Sequence, residues 1–303
     1  MLCSILRYDG HDDPRHTLPW GYAMKDILVV VIGGAHDETR LANATDISRI
    51  FGSHVTVAVV NELPNPQVYA ADPSVGVAAI DADLRAAAMS RGEELKQWTE
   101  ERLAALSSPA SVVMINGLRS QLGAALCEHS RLSDLFIATL PTASSNADLM
   151  NIAIDAVLVE GACAVLCLPH EAASLTAATH AVVAWNGSRE SARALNASFP
   201  LLRHVKAVTV LQVDRALRRA GEAYRPGDEV LIRLKHHGIE ADLDRVSSEG
   251  LMTADAIIAE VRRLGADLLV LGAQAEGGLR QWFQSSVSRQ VLADAKIPLL
   301  IAN

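Results

Sequence analysis

Short apolar runs alternate along the chain with longer stretches of helical spacing, and the alternation is repeated twice. Ile27-Leu28-Val29-Val30-Val31-Ile32 ends in Gly33-Gly34, and His180-Ala181-Val182-Val183-Ala184-Trp185 ends in Asn186-Gly187-Ser188. Each run has strand length and stops at a small-residue turn. A helix-compatible stretch follows each, 38–51 and 189–202, and then a β-rich run, 55–60 and 207–213. Later, 132–138 parallels 265–271, and the halves close on the apolar segments 164–169 and 297–301. Order and content agree at every landmark, which marks an internal duplication.

Between the landmarks, periodicity predicts the helices. Leu251, Ala254, Ile257, Ile258, Val261 and Leu264 fall on one stripe, with Gly265 as its stop. Residues 80–106 read as one long helix and 228–237 as a shorter one ending before Gly238, whereas 62–77, with its prolines, reads as a loop. Strands that alternate with helices pair in parallel, because each parallel connection needs a crossover. The chain is therefore expected to be an α/β protein of two tandem doubly wound domains, each a five-stranded parallel sheet flanked by helices. Residues 24–172 and 178–303 are the expected repeats, and 1–23 an extension ahead of them. Such sheets bind ligands beyond the carboxyl ends of their strands, where strand order reverses. The loops after the first and fourth strands of each half are thus the places to look for chemistry.

Composition narrows the classes. Half of the residues are apolar and only 4% are aromatic, which suits parallel strands covered on both faces. A net charge of −8 argues against nucleic acid as a partner, and Arg215, Arg218 and Arg219 read as a solvated helix face. No apolar stretch reaches the length of a membrane span. Residues 1–23 have no apolar stretch typical of a signal peptide, so a cytoplasmic location is expected. Cys3, Cys127, Cys163 and Cys167 make no disulfide framework, and Cys163 and Cys167 read as buried thiols in a strand. No structural metal is expected. His236 and His237 are expected to cap a helix end as surface cations, and Asp134 and Asp267 to fix the turns into the fourth strands.

In the second half, the loop after the first strand is Trp185-Asn186-Gly187-Ser188, and the one after the fourth runs from Gly272 through Gln274, Ala275 and Arg280 to Ser285-Ser286-Val287-Ser288. Small residues ahead of a helix leave N–H groups free for an anion. The run 272–291, with 184–190 and Leu279-Arg280-Gln281-Trp282, resembles the signature of the universal stress protein family, in its two-domain form. The resemblance implies an adenine nucleotide alpha hydrolase-like fold and a site for ATP or another adenine nucleotide. It assigns adenine and ribose to Ala184, Trp185, Asn186 and Val213. It assigns the phosphates to Gly272, Gln274, Ala275, Arg280, Ser285, Ser286, Val287 and Ser288. The family's second and third glycines are Ala275 and Ser285 here, and Asn186 stands in place of an acid. The site is therefore degenerate, because a Cβ intrudes where a phosphate approaches.

The first half has no glycine in the corresponding loop, 139–148, and Pro141 lacks an N–H, so no nucleotide is expected there. No Walker lysine, Gly-x-Ser-x-Gly elbow or His-Glu-x-x-His pair is present. The resemblance favours a non-catalytic regulatory module of the stress response. A weak nucleotide hydrolase using Glu276, and a structural interaction protein with a vestigial site, remain open alternatives. It also implies that the closing strands 163–168 and 297–302 pair within one chain as an internal pseudo-dimer, that the protein forms a homo-oligomer, and that it meets a further protein partner.

Overall fold

A strand that is apolar on both faces must lie inside a sheet with helices above and below it. The computed structural model, which describes residues 24–65, 77–106, 109–140, 147–170, 175–213, 227–273 and 286–303, has this layering throughout. Strands β1 (Asp26–Val31), β2 (His54–Glu62), β3 (Ala110–Gly117), β4 (Leu135–Thr139) and β5 (Ala164–Leu168) alternate with helices α1 (Asp37–Phe51), α2 (Val77–Leu106), α3 (Arg119–Ser130) and α4 (Ala147–Glu160). The second half repeats the pattern with β6 (His180–Ala184), β7 (Ala207–Val213), β8 (Asp242–Val246), β9 (Leu268–Gly272) and β10 (Leu299–Ala302). Its helices are α5 (Arg189–Leu202), α6 (Asp228–His236), α7 (Thr253–Arg263) and α8 (Ser286–Asp294).

The strands run in the order β3-β2-β1-β4-β5-β10-β9-β6-β7-β8. Within each half every ladder is parallel, and the two halves mirror one another in order. Each half contributes the five-stranded parallel sheet that was expected, and hydrogen bonding continues across all ten strands. The join is the antiparallel pair β5–β10, with Leu299 opposite Cys167 and Ile301 opposite Val165. The closing strands thus pair within one chain, as the resemblance implies. Alternation of side chains divides the core into two layers. Ile27, Val29, Val31 and Ile137 pack under α1 and α5 on one face. Leu28, Val30, Phe136 and Ala138 pack with α3, α4, α7 and α8 on the other.

Cys127 and Cys167 are buried, Cys167 in the second layer, and Cys163 sits one residue ahead of β5, partly buried against that layer. Burial pushes the Cys163 thiol up to about 12 and raises Cys127 and Cys167 as well. Cys3, residues 66–76 and Arg215, Arg218 and Arg219 lie outside the described residues. Leu251 departs from the expected stripe: α7 begins at Thr253, and Leu251 is 57% exposed. His237 does follow α6, but its ring lies 4.2 Å from that of Phe199. Burial, then Arg233, Arg203 and His236, lower its pKa.

Asp134 and Asp267 perform the same task in their halves. Asp134 accepts from the N–H groups of Lys25 (2.6 Å) and Asp26 (3.1 Å), fastening the start of β1 to that of β4. Asp267 accepts from Thr179 N, Thr179 Oγ1 and His180 N at 2.8–2.9 Å, fastening β6 to β9. Both carboxylates stand at the amino ends of the strands, at the opposite end of the sheet from where ligands bind.

One buried ion pair distinguishes the halves. Asp37 and Arg40 are both buried and paired with each other. Arg40 Nε donates to Val30 O and a terminal nitrogen to Thr139 Oγ1, each at 2.7 Å, so the guanidinium ties β1 to the end of β4. Asp37 accepts from Ile32 N (3.2 Å) and Gly34 N (2.9 Å). Burial pulls the Arg40 pKa down while Asp37 pushes it back up.

Three outcomes are expected. Asp267→Ala lowers stability by about 2–3 kcal/mol, the contribution of charge-assisted hydrogen bonds, with chemical denaturation as the measurement. Arg40→Ala costs about 3–5 kcal/mol, because it leaves the Asp37 carboxylate buried without its cation. Asp37→Ser and Arg40→Ala combined then cost less than the sum of the two singles. The third concerns the junction of the halves, where the His204 ring meets Phe51 edge-on at 4.9 Å in a cleft lined by Ile47, Leu175 and Leu201. Burial lowers the His204 pKa. The neutral ring therefore contributes stability that is present above the unfolded value of about 6.5 and is lost as pH falls through the lower folded value. Thermal melts between pH 7.5 and 5 are expected to show a shallower acid decline in His204→Gln.

Candidate functional site

The chain leaves β6 on one side to build β7 and β8, then returns to the other side of β6 for β9. The crevice at this reversal opens over the carboxyl ends of β6, β7 and β9. It is a cleft of about 100 Å³ lined by Ala184, Trp185, Asn186, Ser191, Leu211, Val213, Thr253, Ile257, Leu271, Gly272, Val287 and Ser288. Small-molecule sites commonly measure ~300–1,000 Å³; the described walls enclose less than that.

The sequence-derived residues fall into two groups. Ala184, Trp185, Asn186, Val213, Gly272, Val287 and Ser288 all meet in this cleft. Gln274, Ala275, Arg280 and Ser285 lie outside the described residues, as do Glu276, Gly277, Gly278, Pro141 and the side chain of Ser286. Leu211, Leu271, Ser191, Thr253 and Ile257 were not anticipated. Alternation along β7 and β9 could have found the first two, since Leu211 shares a face with Val213 and Leu271 stands beside Gly272. Thr253 and Ile257, one turn apart on α7, belong to no motif.

The loop after β6 is held by its own atoms. Asn186 Oδ1 accepts from Ser188 N (2.9 Å), and Ser188 Oγ caps α5 by accepting from Ser191 N (3.1 Å). Trp185 N donates to Leu211 O at 2.8 Å. Glu190, in the first turn of α5, pairs with Arg189. Burial alone would raise its pKa, but its own backbone N–H, the Ser188 hydroxyl and Arg189 together hold it below the ordinary glutamate value. Gly272 is not open to a ligand on its Cα side: a Cβ there would collide with Ser191 N and lie 2.7 Å from Ser191 Cα. Its lack of a side chain lets the end of β9 rest on the first turn of α5. The Ser288 hydroxyl is within 3.4 Å of Gly272 O, so it points toward the strand end.

Strand register aligns the halves residue by residue. Ile27 pairs with Leu135 as Ala181 pairs with Leu268. This places Gly33 on Gly187, both with positive φ (+76° and +72°), where glycine is unstrained. Asp37 then matches Ser191, Arg40 matches Ala194 and Thr139 matches Gly272. In the first half the Arg40 guanidinium stands between strand end and helix, and Asp37 occupies the loop's N–H groups. In the second half neither side chain is present, and helix and strand touch. A wider opening of about 900 Å³ does lie over β1 and β2, lined by Ile32, Gly33, Val60, Asn61, Arg91 and Glu94. Its Asn61 amide is already tied to Ala88 O and Asn116 Oδ1.

Among the described residues no cluster of three or more metal-binding side chains occurs, and no helix is long and apolar enough to cross a membrane. The fold has close counterparts among solved structures. A universal stress protein from Archaeoglobus fulgidus DSM 4304 superposes with a TM-score of 0.71 at 15% identity, over 93% of this chain and 97% of that one. A protein of unknown function from Pseudomonas aeruginosa PAO1 superposes with a TM-score of 0.55 at 15% identity, over 92% of each chain. No curated protein sequence matches. The model of the universal stress protein family matches residues 178–303, the half that carries the cleft. Over residues 178–303 the chain is thus similar to the universal stress protein family, and over nearly its whole length it has the fold of such a protein.

Proposed function

We propose that the chain is a tandem universal stress protein, with repeats at 24–172 and 178–303, that acts as a non-catalytic regulatory module. Its second repeat recognises the adenosine part of an adenine nucleotide in the cleft over β6, β7 and β9. The observation that carries this reading is the convergence of Ala184, Trp185, Asn186, Val213, Gly272, Val287 and Ser288 on one crevice at the topological reversal. The wall is apolar where a flat ring would lie (Ala184, Leu211, Val213, Ile257 and Leu271) and polar at Asn186, Ser191, Thr253 and Ser288. That is the pattern of a small-molecule site with a few orienting groups. The regulatory role rests on the family. In the first repeat, the buried Arg40–Asp37 pair supports the expectation that no nucleotide binds between β1 and β4.

Isothermal titration with AMP is the test, alongside analysis of adenine compounds released when the purified protein is denatured. Binding in the micromolar range is expected. Ile257→Phe, which fills the cleft from α7, is expected to weaken it at least about tenfold, since roughly 1.4 kcal/mol of lost contact is a factor of ten, with a lowered melting temperature as well because Ile257 is also part of the core. If AMP fails to bind up to millimolar concentration and nothing adenine-containing is released, the reading fails.

A further inference from the structure

The connection from β5 to β6 is the covalent link between the halves, and its described parts lie along α1. His170, two residues past the end of β5, sets its ring on that of His36, the residue ahead of α1, with centroids 3.8 Å apart. Leu175 N donates to Asn43 Oδ1 at 2.9 Å, near the middle of the same helix. Asn43 is fixed in turn, since its Nδ2 donates to Thr39 O. Leu175 and Ala178 then share a cleft with Ile47, Ile50 and Phe51 at the helix end. We propose that this connection is a proton-sensitive strap, held along α1 by the uncharged His170 ring and let go when that ring takes up a proton.

Both ring nitrogens of His170 are buried, and among the described residues neither has a hydrogen-bond partner. A neutral imidazole carries one donor and one acceptor, and a charged one carries two donors. The neutral ring tolerates the lack of partners at the cost of unmade hydrogen bonds. A charge confined there would lack both solvent and counter-ion. The groups that act on it stand on α1 or at its start: the imidazole of His36 and the guanidinium of Arg40. Arg40 is a buried cation, and Asp37, its carboxylate partner, also holds the N–H groups of Ile32 and Gly34. Asp37 thus has little left to offer a second cation. Glu171, next in the chain, lies outside the described residues.

Burial, then His36 and Arg40, lower the His170 pKa. The docked neutral ring therefore contributes stability that is present above the free value of about 6.5 and is lost as pH falls through the lower docked value. Proton uptake drives the ring off His36 and toward water. Among the described residues, what else holds the strap to α1 is the Leu175 hydrogen bond and the apolar contacts of Leu175 and Ala178. The halves stay joined, because β5 and β10 pair without any residue of the strap. Acid thus loosens the link between the repeats as a local opening, without parting them.

Hydrogen exchange on the full chain at about pH 7 and about pH 5, corrected for intrinsic rates, is the test. At the lower pH the Leu175 amide is expected to lose about tenfold of its protection, while the amides of the β5–β10 ladder keep theirs. His170→Phe, which keeps a flat ring on His36 and removes both nitrogens, is expected to abolish that difference, and Glu171→Gln to leave it in place. In the unaltered chain, an NMR titration is expected to show the His170 ring taking its proton below the pH of a free imidazole. Equal protection of Leu175 at the two pH values, or a His170 ring that titrates like free imidazole or above it, overturns the proposal. So does an acid loss that persists in His170→Phe, which assigns it to His204 in the neighbouring cleft. Disappearance of the loss in Glu171→Gln assigns it to a carboxylate and also overturns the proposal. Ladder amides that lose protection in step with Leu175 report general unfolding, with the same consequence.

Discussion

The antiparallel ladder between β5 and β10 is the constraint on which the architecture rests. Both strands are buried along their whole length. Left alone, each would be an apolar edge with unpaired N–H and C=O groups, open to pairing with any other chain. Pairing them with each other hides both edges in one step. The edges that remain are β3 and β8, and β8 carries Asp242, Asp244 and Arg245 along five residues, charges of the kind that discourage edge-to-edge association. Because the central pair is antiparallel, the strands of the two halves point in opposite directions. The carboxyl ends of β6, β7 and β9 therefore open at one end of the sheet, and those of β1, β2 and β4 at the other. The two clefts cannot share a ligand, so each half could change its chemistry without constraint from its twin.

Much of this was legible in the sequence because parallel strands buried on both faces leave an unmistakable trace. The runs at 27–32, 55–60, 164–169 and 207–213 contain almost nothing but Val, Leu, Ile, Ala and Cys, and each is a strand. The duplication followed from their order, and the position of the cleft followed from the rule that ligands sit where strand order reverses. What escaped has physical reasons. The stripe through α7 was extended one turn too far at Leu251, since periodicity does not tell an apolar residue under a sheet from one at a rim. His237 was read as a surface cap because it follows a helix, yet its ring also lies beside Phe199, and burial with neighbouring arginines lowers its pKa. Such neighbours come from distant segments and leave no mark near residue 237.

The larger miss concerns Arg40. Its position in a polar stretch of α1 resembles any solvated helix residue, and nothing local distinguishes it from Arg49, which is exposed. Only the strand register shows that it stands where the second half has Ala194, and that it reaches Val30 and Thr139. The absence of glycine after β4 is thus not the sole feature that supports the expectation of no nucleotide in the first half. The loop after β1 keeps its positive-φ glycine at Gly33, as the second half does at Gly187, so its geometry is retained. What has changed is that a carboxylate and a guanidinium of the protein itself now occupy the space and the donors.

The same comparison bears on Gly272. Its match to the family's first glycine suggests room for a phosphate, but a glycine can be required for packing as well as for access. With Thr139 and Arg40 in the first half, a side-chain pair spans the gap between strand end and helix. With Gly272 and Ala194 in the second, both side chains are reduced and the main chains close the gap directly. Substitution at either position therefore acts first on the junction of strand and helix, and only through it on the cleft. The residues free to set what the cleft accepts are those that face it without supporting this junction: Val213 and Leu211 from β7, Thr253 and Ile257 from α7, and Val287 from α8. Under the proposed function, selectivity in this half falls to the wall formed by β7 and α7, whereas the glycine that draws attention in the sequence joins the end of β9 to the first turn of α5.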